Sequence, residues 1–111
     1  MAFQEHYEMT RDNLFAATQL MPVVSDSLMV AKAGLLKRGT LLDAEGAVVA
    51  SGAEVYAVLA EDVDTTDAAQ SAPVYLTGEF NENALIVAEG AAVANFKASA
   101  RNVVIFVKPS I

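Results

Sequence analysis

The chain is expected to fold as a compact, mainly β domain of the α+β class. The expected form is sandwich- or barrel-like, with one or two short helices and an extended N-terminal arm. Three observations lead there. Short apolar runs bounded by Gly, Asn and Asp recur from Val23 to Val107, the mark of short strands. One late stretch, Val93 to Arg101, spaces its apolar residues as a helix does. Residues 1–23 follow neither period.

In residues 1–23, Phe3, Tyr7, Met9, Leu14, Phe15, Leu20 and Met21 are scattered without a sustained period. Asp12 is placed to cap a helical turn through Ala17, and Pro22 disfavours helix at Met21. The stretch reads as an arm with apolar anchors lying outside the core. A segment that only solvates would be poorer in Phe, Leu and Met. Residues 24–111 form the β-rich domain.

Within that domain, Ser27–Val30 reads as a strand and Ala33-Gly34 as a turn. Leu35–Leu42 reads as a second strand, bent or bulged at Lys37, Arg38 and Gly39. Asp43–Gly46 fits a type I turn closed by a glycine at positive φ, with Ala47–Ala50 returning. Val55–Ala60 is apolar on both alternating faces, so it is expected to be central and covered on both sides. Pro73 cannot donate to a ladder and suits a strand start. Val74 to Phe80 then alternates as a half-buried strand in which Gly78 permits close backbone approach. Asn81 or Asn83 caps a turn through Leu85. Val93, Phe96 and Ala100 share one face of a short helix. Val103–Val107 is the last buried strand.

The length of 111 residues fits one domain with one modest core. The chain is 54% hydrophobic and 19% charged, with a mean hydropathy of +0.36. That apolar surplus points to an interface. A net charge of -7, with seven scattered Lys and Arg, gives no basic face for nucleic acid. With no cysteine there is neither a disulfide framework nor a thiolate site. The start, MAFQEHYEMTRDN, lacks the basic and apolar regions of a signal peptide. No run approaches the ~20 apolar residues that cross a bilayer. These features point to synthesis in a cytoplasm and no membrane partner.

The densest acidic group is Glu61, Asp62, Asp64 and Asp67. An EF-hand loop starting at Asp62 fails, with Asp67 where glycine makes the sharp turn and Pro73 where a glutamate closes the site. The carboxylates read instead as turn caps over the Thr65 and Thr66 amides. His6 is the single histidine, and a mobile arm is a poor place for a general base. No nucleophile elbow, phosphate loop, dinucleotide loop or His/Cys ligand spacing is present. The expectation is no catalytic residue, no metal and no cofactor. The alternative is a small β-domain binding a sugar, an anion or calcium through Lys37-Arg38 or the Asp62–Asp67 loop.

Four segments, in order, carry a resemblance: Val23-Val24-Ser25-Asp26-Ser27; Leu36-Lys37-Arg38-Gly39-Thr40-Leu41-Leu42; Val58-Leu59-Ala60-Glu61-Asp62-Val63-Asp64; and Val74-Tyr75-Leu76-Thr77-Gly78-Glu79-Phe80-Asn81. Together the chain resembles the head decoration proteins of tailed bacteriophages, similar to the lambda head protein D family, from about Asp12 to Phe106. The arm here is poorer in Thr, Pro and Gly than that of lambda-type members. The resemblance implies a structural virion protein without enzymatic activity. It would be made in the bacterial cytoplasm and bound as a homotrimer to the outside of the expanded capsid. Its partner would be the major capsid protein, to whose sheet the arm adds a strand. The capsid-binding candidates are Phe15, Leu20, Met21, Pro22, Val23 and Val24.

Overall fold

The computed structural model describes residues 14–15 and 23–109. These residues contain eight strands: β1 (Ser25–Val30), β2 (Leu35–Leu36), β3 (Leu41–Leu42), β4 (Ala57–Leu59), β5 (Val63–Asp64), β6 (Gln70–Tyr75), β7 (Gly78–Asn81) and β8 (Ile105–Lys108). One short helix, α1 (Lys97–Arg101), follows a 3-10 turn at Val93–Phe96. A second 3-10 turn spans Glu82–Ala84. The main sheet is antiparallel in the order β1-β6-β4-β3, and β2-β5 and β7-β8 are separate pairs. The content is therefore mainly strand with one short helix. Among the described residues no sheet closes into a barrel, which corrects the barrel-like expectation. No described helix is long and apolar enough to cross a membrane.

β4 behaves as its sequence dictates. It lies between β6 and β3, and all three of its residues are buried. Val58 faces one apolar cluster, with Leu14, Leu41, Phe80, Phe96 and Ile105. Ala57 and Leu59 face the other, with Val30, Leu42, Ala72 and Val74. The main sheet thus separates two cores, and period-two alternation assigns side chains to each.

Two long strands expected from the sequence are each divided in the structure. Leu35–Leu42 splits at Gly39 (φ 101°), so that β2 pairs with β5 while β3 pairs with β4. A side chain at Gly39 would stand 2.5 Å from the Ala84 carbonyl oxygen, so only glycine lets the chain change sheets here. Val74–Phe80 breaks at Leu76-Thr77: β6 belongs to the main sheet, and β7 runs parallel to β8. The Phe80 ring lies 3.1 Å from where a Gly78 Cβ would be, as the close-approach reading expected. Pro73 sits inside β6, between β1 and β4, and not at a strand start. β5 formed where an acidic loop was expected, because buried Thr65 ties it down. The Thr65 hydroxyl accepts from the Ala33 and Gly34 amides and donates to the Gly34 carbonyl. Ala47–Ala50 returns as an isolated bridge, Leu42 to Val48, and not as a strand.

The turns follow their chemistry. Asp43 Oδ1 accepts the Glu45 and Ala47 amides, and Gly46 has φ 83°. Asn81 caps the following 3-10 turn by accepting from the Asn83 amide. Phe96 and Ala100 are buried on one helical face, as the spacing requires. The final strand starts two residues later than expected. Val103 and Val104 instead close the helix, their amides donating to the Ala100 and Arg101 carbonyls. Val104 has φ 65°, and among the described residues no other non-glycine residue has a positive φ. A β-branched residue there is strained.

Leu14 and Phe15, described residues within the expected arm, enter the domain. Leu14 is 2% exposed and belongs to the core. Its carbonyl accepts the Asn81 amide at 2.7 Å, and Phe15 bridges antiparallel to Phe80. An aperiodic segment enters a core this way when two residues bridge a strand edge and place one side chain inside.

Replacing Val104 with glycine removes the positive-φ penalty of about 1–3 kcal/mol, against about 1 kcal/mol of added chain entropy. We expect Val104→Gly to raise the urea midpoint, with a net gain of about 1 kcal/mol. A lower midpoint would show that the valine side chain contributes more than its backbone costs.

Candidate functional site

Polar and aromatic side chains meet where β6, the Lys37–Gly39 bend and Leu14-Phe15 come together. The cause lies in β6. Continuing the β4–β6 register sets Ala60 opposite Pro73, and the Ala60 amide donates to the Pro73 carbonyl at 3.0 Å. Pro73 has no N–H to return. The Ala60 carbonyl, on a residue only 8% exposed, therefore lacks its ladder donor. The Arg38 guanidinium supplies one, Nη1 donating at 2.8 Å.

Arg38 then gathers the rest. The same Nη1 donates to the Tyr75 hydroxyl at 2.7 Å. The guanidinium carbon lies 5.5 Å from the Tyr75 ring centre and 5.7 Å from that of Phe15, both within cation–π range. Phe15 stacks on Phe80 at 5.2 Å and meets Tyr75 edge-on at 5.0 Å. The Arg38 amide donates to Asp62 Oδ1 at 2.8 Å, while Lys37 Nζ lies 3.8 Å from Asp62 Oδ2. That last pair is more than half exposed on both sides and contributes little.

On the neighbouring strand pair, Glu79 is buried and ion-paired with Lys108 across β7 and β8. The acidic loop spends its carboxylates locally. Asp64 Oδ1 accepts the Thr66 hydroxyl at 2.6 Å and the Thr66 amide at 3.0 Å. Those two bonds hold Asp64 below the usual carboxylate range. Their contribution is present above the ordinary carboxylate pKa and fades as pH falls through the lowered one. Among the described residues no three His, Asp or Glu side chains converge as a metal site. A shallow open depression lined by Asp43, Glu45, Glu54, Tyr56 and Val103 lies elsewhere.

Of the residues expected to bind a capsid, Phe15 is half-buried in the Arg38 cluster. Val23 and Val24 are 38% and 47% exposed. They are held beside the start of β7: the Val24 amide donates to Thr77 Oγ1, and its carbonyl accepts the Leu76 amide. Leu20, Met21 and Pro22 lie outside the described residues, as does His6. The sequence placed Lys37-Arg38 at a strand bend and did not mark Arg38 as an organising residue. The signal was a proline inside an apolar strand run, which implies an unserved carbonyl opposite. No family model, no curated protein and no solved structure matches this chain.

Arg38→Met leaves the Ala60 carbonyl without a donor, so it should cost about 1–3 kcal/mol. Pro73→Ala restores a ladder N–H there. In that background Arg38→Met should cost about 1 kcal/mol less. Chemical denaturation of the four proteins in this double-mutant cycle reads the coupling, and strict additivity would remove the proline–arginine link.

Proposed function

We propose that this chain is a head decoration protein of a tailed bacteriophage. In this reading it binds the outer surface of the expanded capsid as a homotrimer and stabilises the shell against internal DNA pressure. The arm and the exposed Val23-Val24 pair contact the major capsid protein. The role is structural, and its site is a docking surface formed by a rigid domain and the segment entering it. The finer architecture in this reading is a small sandwich-like β domain.

One observation carries the reading. The four segments that bear the resemblance are far apart in sequence, yet they meet at one place. Arg38 comes from the second, Ala60 and Asp62 from the third, and Tyr75 and Phe80 from the fourth. The first is tied to the fourth through Val24 on Leu76 and Thr77. Leu14-Phe15 is seated on that same junction. The likeness therefore follows one spatial unit, the junction of arm and domain. The exposed valines there and the apolar surplus of the composition support docking. Three arms on one trimer raise each other's effective concentration, so weak single contacts sum to firm attachment.

The acidic loop does not favour the calcium alternative, because Asp62 and Asp64 turn to different partners.

The test mixes the full chain with expanded heads assembled from the major capsid protein of the same phage. Co-sedimentation, and a solution or shell-bound mass near three times 11.7 kDa, are the expected results. Val24→Asp, which charges the exposed pair and keeps its backbone bonds, should leave the fold intact and weaken co-sedimentation about tenfold or more. Deleting residues 1–22 removes buried Leu14 and should destabilise the domain by about 2–5 kcal/mol. A chain that stays in the supernatant, or a Val24→Asp chain that binds as well as the wild type, contradicts the reading.

A further inference from the structure

We propose that Arg38, together with Phe15, Tyr75 and Phe80, is a positioning clasp that sets where the N-terminal segment joins the domain. The segment is then fixed to the domain at Leu14-Phe15 as well as at Val23-Val24. This inference rests on the docking function proposed above and deepens it by naming the residues that place the arm without touching the partner.

The geometry leaves the segment one register. Phe15 is held by a stacked Phe80, an edge-on Tyr75 and the Arg38 guanidinium. Its neighbour Leu14 points into the core, with Cδ1 3.3 Å from where a Gly39 Cβ would stand. Adjacent residues of an extended segment face opposite sides, so Leu14 and Phe15 each have a slot of their own. A slip by one residue would bring Ala16 or Leu14 under the guanidinium, and neither offers a ring face. The backbone is fixed as well, through the Asn81 amide on the Leu14 carbonyl. Arg38 itself cannot swing away cheaply, because it also serves the carbonyl that Pro73 leaves open. The residue that repairs the sheet is thus the residue that grips the arm. Val23 is seated beside Gly78 and Val24 on Thr77, so the chain is held again where it enters β1.

The Asn81 amide reports on the clasp directly. Hydrogen exchange is measured on the full chain, on Arg38→Met and on Phe15→Leu, which keeps an apolar side chain but removes the ring. Exchange at Asn81 should accelerate about 2- to 30-fold in Phe15→Leu, the range of a cation–π contact, and more in Arg38→Met. The Tyr56 and Leu59 amides, bonded inside the main sheet to the Leu42 and Thr40 carbonyls, open only with the whole domain and should exchange more slowly than Asn81 in every variant. Phe15→Tyr, which keeps the ring, should restore slow exchange. Unchanged exchange at Asn81 in both variants overturns the proposal. So does exchange at Asn81 as slow as at Leu59 in every variant, which would make the cluster ordinary core. Both variants should also weaken binding to expanded heads. If the wild-type chain binds heads and the two variants bind equally well, the positioning role falls. If the wild-type chain does not bind heads but the exchange pattern holds, the docking function falls and the clasp stands.

Discussion

A backbone carbonyl that its strand partner cannot serve organises this molecule. Pro73 lies inside the main sheet and returns no hydrogen bond to Ala60, and the Arg38 guanidinium fills that position. A buried acceptor left unpaired costs about 1–3 kcal/mol, so the arginine is committed to the site. Its planar face is then available to the two rings beside it, Tyr75 and Phe15. One local defect in a ladder thus becomes the joint between the β domain and the segment that precedes it.

The rest of the fold serves that joint. Gly39, next to Arg38, turns the chain from one sheet pair to another and leaves a slot that Leu14 occupies. β7 offers Phe80 to stack on Phe15 and the Asn81 amide to hold Leu14. β8 and α1 support β7 from the far side through Ile105, Val107 and Ala100, all buried in the same cluster. The second cluster, across the main sheet, fixes β4 and β6 so that Ala60 and Tyr75 stand in place. The described domain, with a radius of gyration of 13.7 Å, is about as compact as a chain of ~100 residues allows.

Much of this was legible in the sequence. Two-sided apolar alternation located β4 as a central strand, the spacing of Phe96 and Ala100 located the helical face, and Asp43–Gly46 announced its turn. What escaped had physical causes. Leu14 and Phe15 bury through a two-residue bridge, too short to leave a period. β5 depends on Thr65, whose value lies in hydrogen bonds to residues 31 positions away. Leu35–Leu42 and Val74–Phe80 each read as one strand because their apolar residues run on. Only the backbone at Gly39 and Gly78 reveals that each serves two sheets. Arg38 did not stand out because its partners are a carbonyl and two rings contributed by distant segments. Of the expected docking residues, Val23 and Val24 stand exposed beside the junction, Phe15 is part of it, and Leu20, Met21 and Pro22 lie outside the described residues.

The proposed function gives the joint a purpose. A fastener that grips a larger shell needs a rigid body, a segment able to reach a partner, and a fixed angle between them. The Arg38 cluster is suited to setting that angle. The most direct measurement is nuclear Overhauser contact in the isotope-labelled full chain, between the Phe15 ring and both the Arg38 side chain and the Tyr75 ring. The Arg38 clasp requires clear cross-peaks to both, with Arg38 side-chain protons shifted upfield by the rings. A Phe15 ring at random-coil shifts, without contact to Arg38, would contradict it.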